Sequence, residues 1–464
     1  RGARDRRVCD DLQRAWLRPT ALHVGGVLCD VRGAMSMIRS EEVRQWKPIL
    51  RALDPLREVG LEEIDDLYAE RRAAPYKEIA TDLLTADRAA EVKVILCGAR
   101  GSGKSTELTR LARELSPEFC VVHTDLAAGL PEQAGTLAVL TLLGVAGLHA
   151  IQIWSGDDDT TKASVALVRG SEQLQGALTK FGAAGSMVTT LLDAVSGIVT
   201  VFNPAAGAVL ATTNAVAKAT GSLVGKATEL RHALGRGPLQ GRLPADKRDD
   251  AKAVVDAVNS ILDELERLAG KPVVLLADGL DKRTGVEEVQ LALSEEYLLR
   301  ELRAPLVLTG PVNLRHDPRF RAMPGGFRLA LLYNIPVCER GGEAVRPASE
   351  GIALLRELYE RRRSASGIRA DLMSAGILDR AALMCSGIIR EFLGLLHATC
   401  KNALQSERET ATPEDLEAAI RARRLAMEGY LNEQSVGILR RVLAKGIVPA
   451  GEAADVLLFE NFIA

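Results

Sequence analysis

The sequence has few aromatic residues and almost no net charge. Aromatics make up 4% of its 464 residues, and leucine, alanine, valine and isoleucine carry the apolar content, which favours a helix-rich α/β protein. The formal net charge of −2 excludes a global basic field that would attract nucleic acid or anionic lipid, although a local patch stays open. The length suits two or three domains.

The sequence also has no closely spaced cysteine pair. Its seven cysteines are scattered, and its six histidines show no spacing typical of metal ligands. Cys97 and Cys120 lie in or beside predicted core strands. Scattered thiols argue against a disulfide framework and against a zinc site, so we expect reduced core thiols in a cytoplasmic protein.

The beginning of the chain lacks the features of a signal peptide. Residues 1–34 are rich in arginine and glycine, with no apolar core that ends at a cleavage-type site. We expect the biological start at Met35 or Met37, which makes residues 1–36 a non-native or disordered extension. A genuine disordered basic tail is the alternative.

The strongest motif is a glycine-rich loop, residues 98–106, which matches G-x-x-x-x-G-K-[ST]. An apolar run at 92–97 predicts a buried strand before it, and leucines at helical spacing predict a helix after it. Such a turn wraps backbone N–H groups around phosphates at the positive end of a helix. The motif predicts a nucleoside triphosphate site formed by Gly98, Ala99, Arg100, Gly101, Ser102, Gly103, Lys104, Ser105 and Thr106. Lys104 would reach the β- and γ-phosphates, and Ser105 would hold Mg²⁺.

A second apolar strand ends in an acidic residue, Asp278. A carboxylate at this place would hold the Mg²⁺ water shell opposite Ser105. Asp281 follows three residues later and is a candidate for orienting or deprotonating the attacking water. A helix N-cap or a solvated loop carboxylate is the other interpretation of Asp281.

Five candidate strands, separated by helical stretches, predict a mostly parallel, doubly wound five-stranded sheet. The candidates are 92–97, 119–124, 272–278, 305–310 and 330–337. If the fourth lies beside the phosphate-loop strand, Thr309 or Asn313 would face the γ-phosphate side.

Between the two phosphate motifs lies an unusually long stretch, with an inserted Ala/Gly-rich helical region at about 155–245. The first charge-free segment of this stretch, 133–156, begins before the insert and is interpreted as a buried helix. A second charge-free segment, 194–217, is interpreted as a helical hairpin turning at Asn203-Pro204. Alanine, glycine and threonine gain little in lipid, so a soluble hairpin is favoured over membrane entry at 185–220.

Helical patterns flank the predicted sheet. Residues 37–90 predict a helical lead-in to an α/β core at 91–345, and residues 346–410 predict a helical lid. A C-terminal unit, 411–464, opens with a good helix start at Thr412-Pro413. Its apolar end resembles a strand without a partner, which indicates a winged-helix-like unit that is cut short.

With these motifs placed, the chain resembles the AAA+/STAND group of P-loop ATPases, close to origin-recognition-type initiators and NACHT-like switches. The resemblance rests on the loop 98–106, the strand 273–281, a sensor-1-like strand 306–310 and a sensor-2-like helix start, Gly387-x-x-Arg390. It covers roughly residues 50–460 apart from the inserted region. It implies ATP and Mg²⁺ as cofactors, with catalytic roles for Lys104, Asp281, Thr309 and Arg390.

The chain departs from the family pattern beside the acidic strand. The family usually has a further acidic residue after the strand aspartate or after the second aspartate, where this chain has Gly279 and Lys282. Asp281 is then the sole nearby catalytic carboxylate, which predicts slow hydrolysis.

Three functions stay open at this point. The leading one is an ATP-hydrolysing conformational switch in which ATP bridges core and lid through Arg390, with an unknown effector protein. It would form a homo-oligomer in the ATP state, with an arginine finger drawn from Arg315, Arg319 or Arg321. The second is an initiator-like DNA-binding ATPase that uses arginines at 421–424 and 440–441. The third is a membrane-attached ATPase resembling the KAP group, with 185–220 in the membrane.

Overall fold

The structure is a computed structural model. It describes residues 40–154, 160–183, 187–195, 198–203, 208–210, 228, 231, 234, 239–282, 286–316, 326–341, 344–368, 370–429 and 431–445. The chain forms two compact units, Arg1–Gln45 and Trp46–Ala464. The first contributes only the beginning of one helix to the described residues, and every contact below lies in the second. The predicted extension 1–36 and the apolar end 455–464 fall outside the described residues.

The second unit is built on a seven-stranded sheet with the order β4-β3-β2-β5-β6-β1-β7. The strands are β1 Lys93–Gly98, β2 Cys120–Asp125, β3 Val199–Asn203, β4 Ala208–Leu210, β5 Val273–Asp278, β6 Leu306–Pro311 and β7 Arg328–Leu332. β2, β5, β6, β1 and β7 run parallel. A separate antiparallel pair, β8 Cys338–Gly341 and β9 Ala344–Pro347, follows.

The mostly parallel sheet predicted from the sequence is confirmed, but the five-strand count is wrong by two. The two further strands, β3 and β4, extend the sheet antiparallel to β2. The last predicted strand, 330–337, is also placed too late, since β7 ends at Leu332. Beyond it the chain turns toward the helical part, where the backbone N–H of Ile335 donates to the carbonyl of Gly387.

The helical hairpin predicted to turn at Asn203-Pro204 is wrong, because β3 and β4 stand there. Val199 and Val201 are buried and Thr200 between them is half-buried, which is the alternation of a strand. Pairing with β2 satisfies the backbone of this segment, and β-branched residues suit it. The described part of 185–220 therefore contains a nine-residue helix, Met187–Val195, and strands, with no membrane-spanning helix among its described residues.

The described helices pack either on the two faces of the sheet or in the helical part of the chain after β9. They span Ser40–Ala52, Ile64–Leu67, Pro75–Thr85, Lys104–Leu115, Leu126–Gly129, Thr136–Trp154, Thr160–Thr179, Met187–Val195, Arg248–Ala269, Val286–Ala292, Glu296–Arg300, Ser349–Ala365, Ala375–Met384, Ile389–Gln405, Pro413–Glu428 and Glu433–Lys445. Every residue of β1, β5 and β6 is buried, as expected for parallel strands covered on both sides.

The helix Thr136–Trp154 lies inside the α/β core. Among the described residues it is the one helix long and apolar enough to cross a membrane, and 89% of its most apolar window is buried in the protein. It packs against the amphipathic helix Arg248–Ala269 through glycines such as Gly144, where an added Cβ would lie 2.9 Å from Val258. The buried helix predicted at 133–156 is thus confirmed.

The helical part after β9 has its own core. Trp46 and Leu53 of the lead-in pack there with Tyr359 and Phe392. The helix Pro413–Glu428 adds Leu416, Ala419 and Ile420 to the same core. It starts with the predicted cap, because the side chain of Thr412 and that of Asp415 form a reciprocal capping box.

Candidate functional site

The phosphate-loop segment forms a tight turn between β1 and the helix Lys104–Leu115. Gly101 and Gly103 adopt left-handed backbone conformations, with φ of +84° and +103°, which favour glycine. At Gly98 an added Cβ would lie 2.8 Å from the carbonyl oxygen of Leu332. The turn therefore needs glycine at these positions, and it leads directly into a helix N-terminus.

Lys104 is buried and folded back into this turn. Its ammonium group donates to the carbonyl oxygens of Gly98 at 2.7 Å and Ala99 at 2.8 Å. It also forms an ion pair with Asp281, with 2.9 Å between Nζ and Oδ2. A buried lysine needs such partners, since an unpaired charge in the interior is costly.

Thr309 links Asp278, which ends β5, with Asp281 in the turn that follows. β6 lies between β1 and β5, so its residue Thr309 stands between the loop and Asp278. Its hydroxyl lies 2.9 Å from Asp278 Oδ1 and 3.1 Å from Asp281 Oδ1, and it accepts a hydrogen bond from the backbone N–H of Gly279. One hydroxyl proton can serve only one of the two carboxylates at a time.

Ser105 and Asp278, the two predicted metal ligands, are in direct contact. The Ser105 hydroxyl donates to Asp278 Oδ2 at 2.7 Å. Asp281 lies in the short turn Leu280–Lys282 and is 7% exposed. This burial rules out the interpretation of Asp281 as a solvated loop carboxylate.

Lys282 and two further carboxylates complete the charge distribution around Asp278. Lys282 Nζ lies 3.0 Å from Asp278 Oδ2, 3.0 Å from Glu58 Oε1 and 4.0 Å from Asp125 Oδ2. Asp125 ends β2 at the same level of the sheet at which Asp278 ends the neighbouring β5. Sequence reasoning assigned no role to Asp125 or Glu58, although an aspartate closing a buried strand was a signal.

The pKa values of this group follow from burial and from the charge of Lys282. Burial raises the pKa of Asp125 to about 6, and the charge of Lys282 only partly opposes it. Burial also acts to raise the pKa of Asp278, but Lys282 and the Ser105 hydrogen bond outweigh it and hold that pKa below its usual value. Burial acts to lower the pKa of Lys282, and the three carboxylates, Asp278 first, outweigh it, so the pKa is raised.

The sensor-2-like segment rests on the phosphate loop. The backbone N–H of Arg390, in the first turn of the helix Ile389–Gln405, donates to the carbonyl oxygen of Gly101 at 3.1 Å. A Cβ added to Gly101 would lie 2.6 Å from the Cβ of Arg390. Burial, and then the nearby charge of Arg100, lower the pKa of the Arg390 guanidinium. Arg390 thus lies at the phosphate loop, and the sensor-2-like role that the resemblance implies for it stays a prediction.

A buried arginine of the lead-in, Arg71, was missed by sequence reasoning. It donates to the carbonyls of Ser102 and Tyr333 and lies 3.8 Å from Glu107, whose carboxylate accepts from the hydroxyl of Tyr68 at 3.0 Å. Burial raises the pKa of Glu107, with Arg71 opposing it. These contacts join residues more than 30 positions apart, and no local pattern in the sequence marks them.

A narrow cleft lies between this network and the lid. Its lining includes Tyr68, Gly103, Thr106 and Ile389, and it leaves about 30 Å³ for water-sized molecules. That is room for about one water, so the cleft as it stands cannot hold a nucleotide base.

The remaining residues predicted to act at the site either are not brought into it or fall outside the described residues. Asn313 is buried, and its Oδ1 has no hydrogen-bond partner among the described residues. Arg315 is exposed, while Arg319 and Arg321 fall outside the described residues.

Of the arginines predicted to contact DNA, Arg423 pairs with Glu391 and Arg424 with Glu428.

The residues present fit a magnesium-bound nucleoside triphosphate. The glycine turn offers a close backbone approach at a helix N-terminus, and the buried Ser102 hydroxyl has no partner among the described residues. No group of three His, Cys, Asp or Glu among the described residues could hold a metal alone. Mg²⁺ commonly binds through one or two protein oxygens together with phosphates and water, which is what Ser105 and Asp278 offer.

No protein-family model and no curated protein matches the chain significantly. Among solved structures, the chain is similar to Drosophila ORC bound to DNA, at 10% identity and a TM-score of 0.37, covering 99% of this chain and 86% of that chain. It is also similar to the Aeropyrum pernix ORC1 protein in complex with DNA, at 13% identity and a TM-score of 0.39, covering 88% and 80%. At these scores and identities neither likeness decides the family or the function of this chain.

Proposed function

We propose that the chain binds ATP with Mg²⁺, hydrolyses it slowly and acts as a conformational switch of AAA+/STAND type. The observation that carries this proposal is the contact between the phosphate loop and the lid, Arg390 N–H to Gly101 O at 3.1 Å. A ligand held by the loop would then meet the lid directly, which a switch requires.

The side chains of the site have separate roles in this proposal. Lys104 would supply positive charge to the phosphates. Before nucleotide binds, its ion pair with Asp281 neutralises the buried ammonium. Ser105 and Asp278 would hold Mg²⁺, which when bound neutralises charge on the phosphate oxygens. The loop glycines and the helix N-terminus bind phosphate through backbone N–H groups.

Asp281 is the proposed base. Once Lys104 has turned to the phosphates, Asp281 accepts a proton from the attacking water, and Thr309 orients its carboxylate. With a single candidate carboxylate, and with that carboxylate engaged by Lys104 in this structure, slow turnover is expected. Assembly in the ATP state, with Arg315 reaching a neighbouring subunit, remains part of the proposal.

Binding of ATP and of ADP, measured by calorimetry with Mg²⁺ together with phosphate release, tests the proposal. The unsubstituted protein is expected to bind both nucleotides and to hydrolyse ATP slowly, and Lys104→Ala to lose both properties. Arg390→Ala is expected to reduce the affinity for ATP while sparing that for ADP. Equal losses for the two nucleotides would remove the role of Arg390, and absence of ATP binding would refute the function.

A further inference from the structure

Lys282 forms an ion pair with Asp278, the carboxylate that is proposed to hold Mg²⁺. Its Nζ lies 3.0 Å from Asp278 Oδ2, the oxygen that also accepts the Ser105 hydroxyl at 2.7 Å. An ammonium group and the hydroxyl of the metal-binding serine therefore meet at one oxygen atom. A divalent cation held by that oxygen, directly or through a water molecule, would lie next to the positive charge of Lys282.

The position of Lys282 is held from several sides. The turn Leu280–Lys282 brings it back toward the end of β5, and Glu58 accepts from the same ammonium at 3.0 Å. Asp125 lies 4.0 Å away. The side chain is 21% exposed, so the ammonium is largely withdrawn from water, and its attraction to the buried Asp278 is only weakly screened. Glu58 is 72% exposed, so water screens its attraction to the ammonium more strongly.

The other lysine of the site does not serve Asp278. Lys104 forms its ion pair with Asp281. Asp278 and Asp281 thus each pair with a different lysine, and among the described residues Lys282 is the cation that balances Asp278.

We propose that Lys282 is the resident counter-cation of Asp278 and that Mg²⁺ binds there only by displacing it. This inference rests on the proposed function and deepens it, since Lys282 would set the Mg²⁺ concentration that the site needs. Lys282 is a positioning residue, acting through Asp278. Replacing it by a neutral side chain leaves Asp278, Asp125 and Glu58 without the positive charge that lies among them, and Mg²⁺ at Asp278 should then bind more tightly.

ATP binding by the full chain, followed by calorimetry across a series of Mg²⁺ concentrations, tests the inference. Lys282→Gln is expected to lower the Mg²⁺ concentration for half-maximal ATP binding by about tenfold. A second readout uses Mg²⁺ alone. In EDTA, Lys282→Gln should melt below the unsubstituted protein because Asp278 loses its partner, and added Mg²⁺ should restore its melting temperature.

Two variants separate charge from folding. Lys282→Arg keeps the cation and is expected to retain the original Mg²⁺ dependence. Lys271→Gln removes a lysine that precedes β5 at its opposite end, where it donates to the carbonyl of Pro117 at 2.6 Å, and should also leave that dependence unchanged.

An unchanged or higher Mg²⁺ requirement in Lys282→Gln, with ATP still bound, would overturn the inference alone. A melting temperature that Mg²⁺ fails to restore would also count against it. Absence of ATP binding by the unsubstituted protein at every Mg²⁺ concentration would instead refute the proposed function, and the inference would fall with it.

Discussion

The carboxylate of Asp281 holds the ammonium group of Lys104 at 2.9 Å, inside a loop whose own carbonyls take its other hydrogen bonds. The residue proposed to bind phosphate and the residue proposed to act as base thus neutralise each other in this structure. Under the proposed function, nucleotide binding by Lys104 and activation of Asp281 would be coupled, because both draw on the partners of this ion pair.

Replacement of Asp281 by asparagine separates its two roles. The amide side chain would keep the shape but lose the charge, so hydrolysis is expected to fall by about 10²-fold or more, the usual contribution of a general base. ATP affinity should rise or stay the same, because Lys104 is no longer held by a carboxylate. Single-turnover hydrolysis and calorimetric binding measure the two effects. Unchanged hydrolysis with tighter binding would mean that Asp281 only anchors Lys104.

Replacement of Thr309 by valine tests the link between the aspartates. The change leaves the Gly279 N–H and two carboxylates without the hydroxyl, and we expect a loss of about 1–3 kcal/mol in the free energy of unfolding. Hydrolysis should fall as well, since Asp281 loses its orienting partner. Urea unfolding and phosphate release measure these effects.

Thr124→Val is the matched control for Thr309→Val. Thr124 is also buried in a central strand, but its hydroxyl has no hydrogen-bond partner in the described part of the chain. Valine there should be neutral or stabilising. Equal effects of the two substitutions would show that the Thr309 hydroxyl is not needed.

The approach of Gly387 to the segment after β7 should be sensitive to a single methyl group. Its φ is +75°, and an added Cβ would lie 1.8 Å from the carbonyl oxygen of Ile335. Gly387→Ala should therefore cost about 2–4 kcal/mol of stability, combining backbone strain with overpacking.

Gly367→Ala supplies the comparison for Gly387→Ala within the same helical part. Its φ is +76° and an added Cβ meets nothing within 4 Å, so only the strain, about 1 kcal/mol, should appear. Denaturant unfolding compares the two. Similar losses would contradict the close contact at Ile335.

The free energy of unfolding should change with pH as Asp125 titrates. Burial raises its pKa to about 6 in the folded chain, above the unfolded value of about 3.9. The folded state then binds more protons between about pH 4 and 6, so stability falls as the pH rises through this range and stays reduced above it.

Replacement of Asp125 by asparagine should remove this slope. The stability gain of Asp125→Asn is expected to grow from pH 4.5 to pH 7 by about 1–2 kcal/mol, less than the full shift because the carboxyl is 31% exposed to water. Urea unfolding at the two pH values measures it. A gain that shrinks toward pH 7 would show that pairing with Lys282 outweighs burial.

The sequence predicted correctly those parts of the fold in which a functional motif directly adjoins a strand or helix with a clear apolar pattern. The loop 98–106 and the strand ending at Asp278 both combine an apolar run with a specific polar residue, and both stand where predicted. Thr309 could be placed only conditionally, because its role depends on β6 lying beside β1, which is a matter of topology.

The parts that escaped prediction depend on contacts between distant residues. β3 escaped because its alanine- and glycine-rich surroundings hide a five-residue alternation, and pairing with β2 decides its structure. Arg71 reaches Ser102 across 31 positions, and Glu58 reaches Lys282 across 224. Lys282 itself was noticed only as a departure from a pattern, since its ion pair with Asp278 requires the turn that follows β5.

Hydrogen exchange of the backbone around Arg390 tests the coupling of nucleotide to lid most directly. Exchange of the segment 387–393 would be measured in the full chain without nucleotide, with ADP and with ATP, each with Mg²⁺, and again in Lys104→Ala. If nucleotide and lid are coupled, exchange is slower with ATP than with ADP, and Lys104→Ala shows no nucleotide effect. Equal exchange with ATP and ADP in the unsubstituted protein would contradict this coupling.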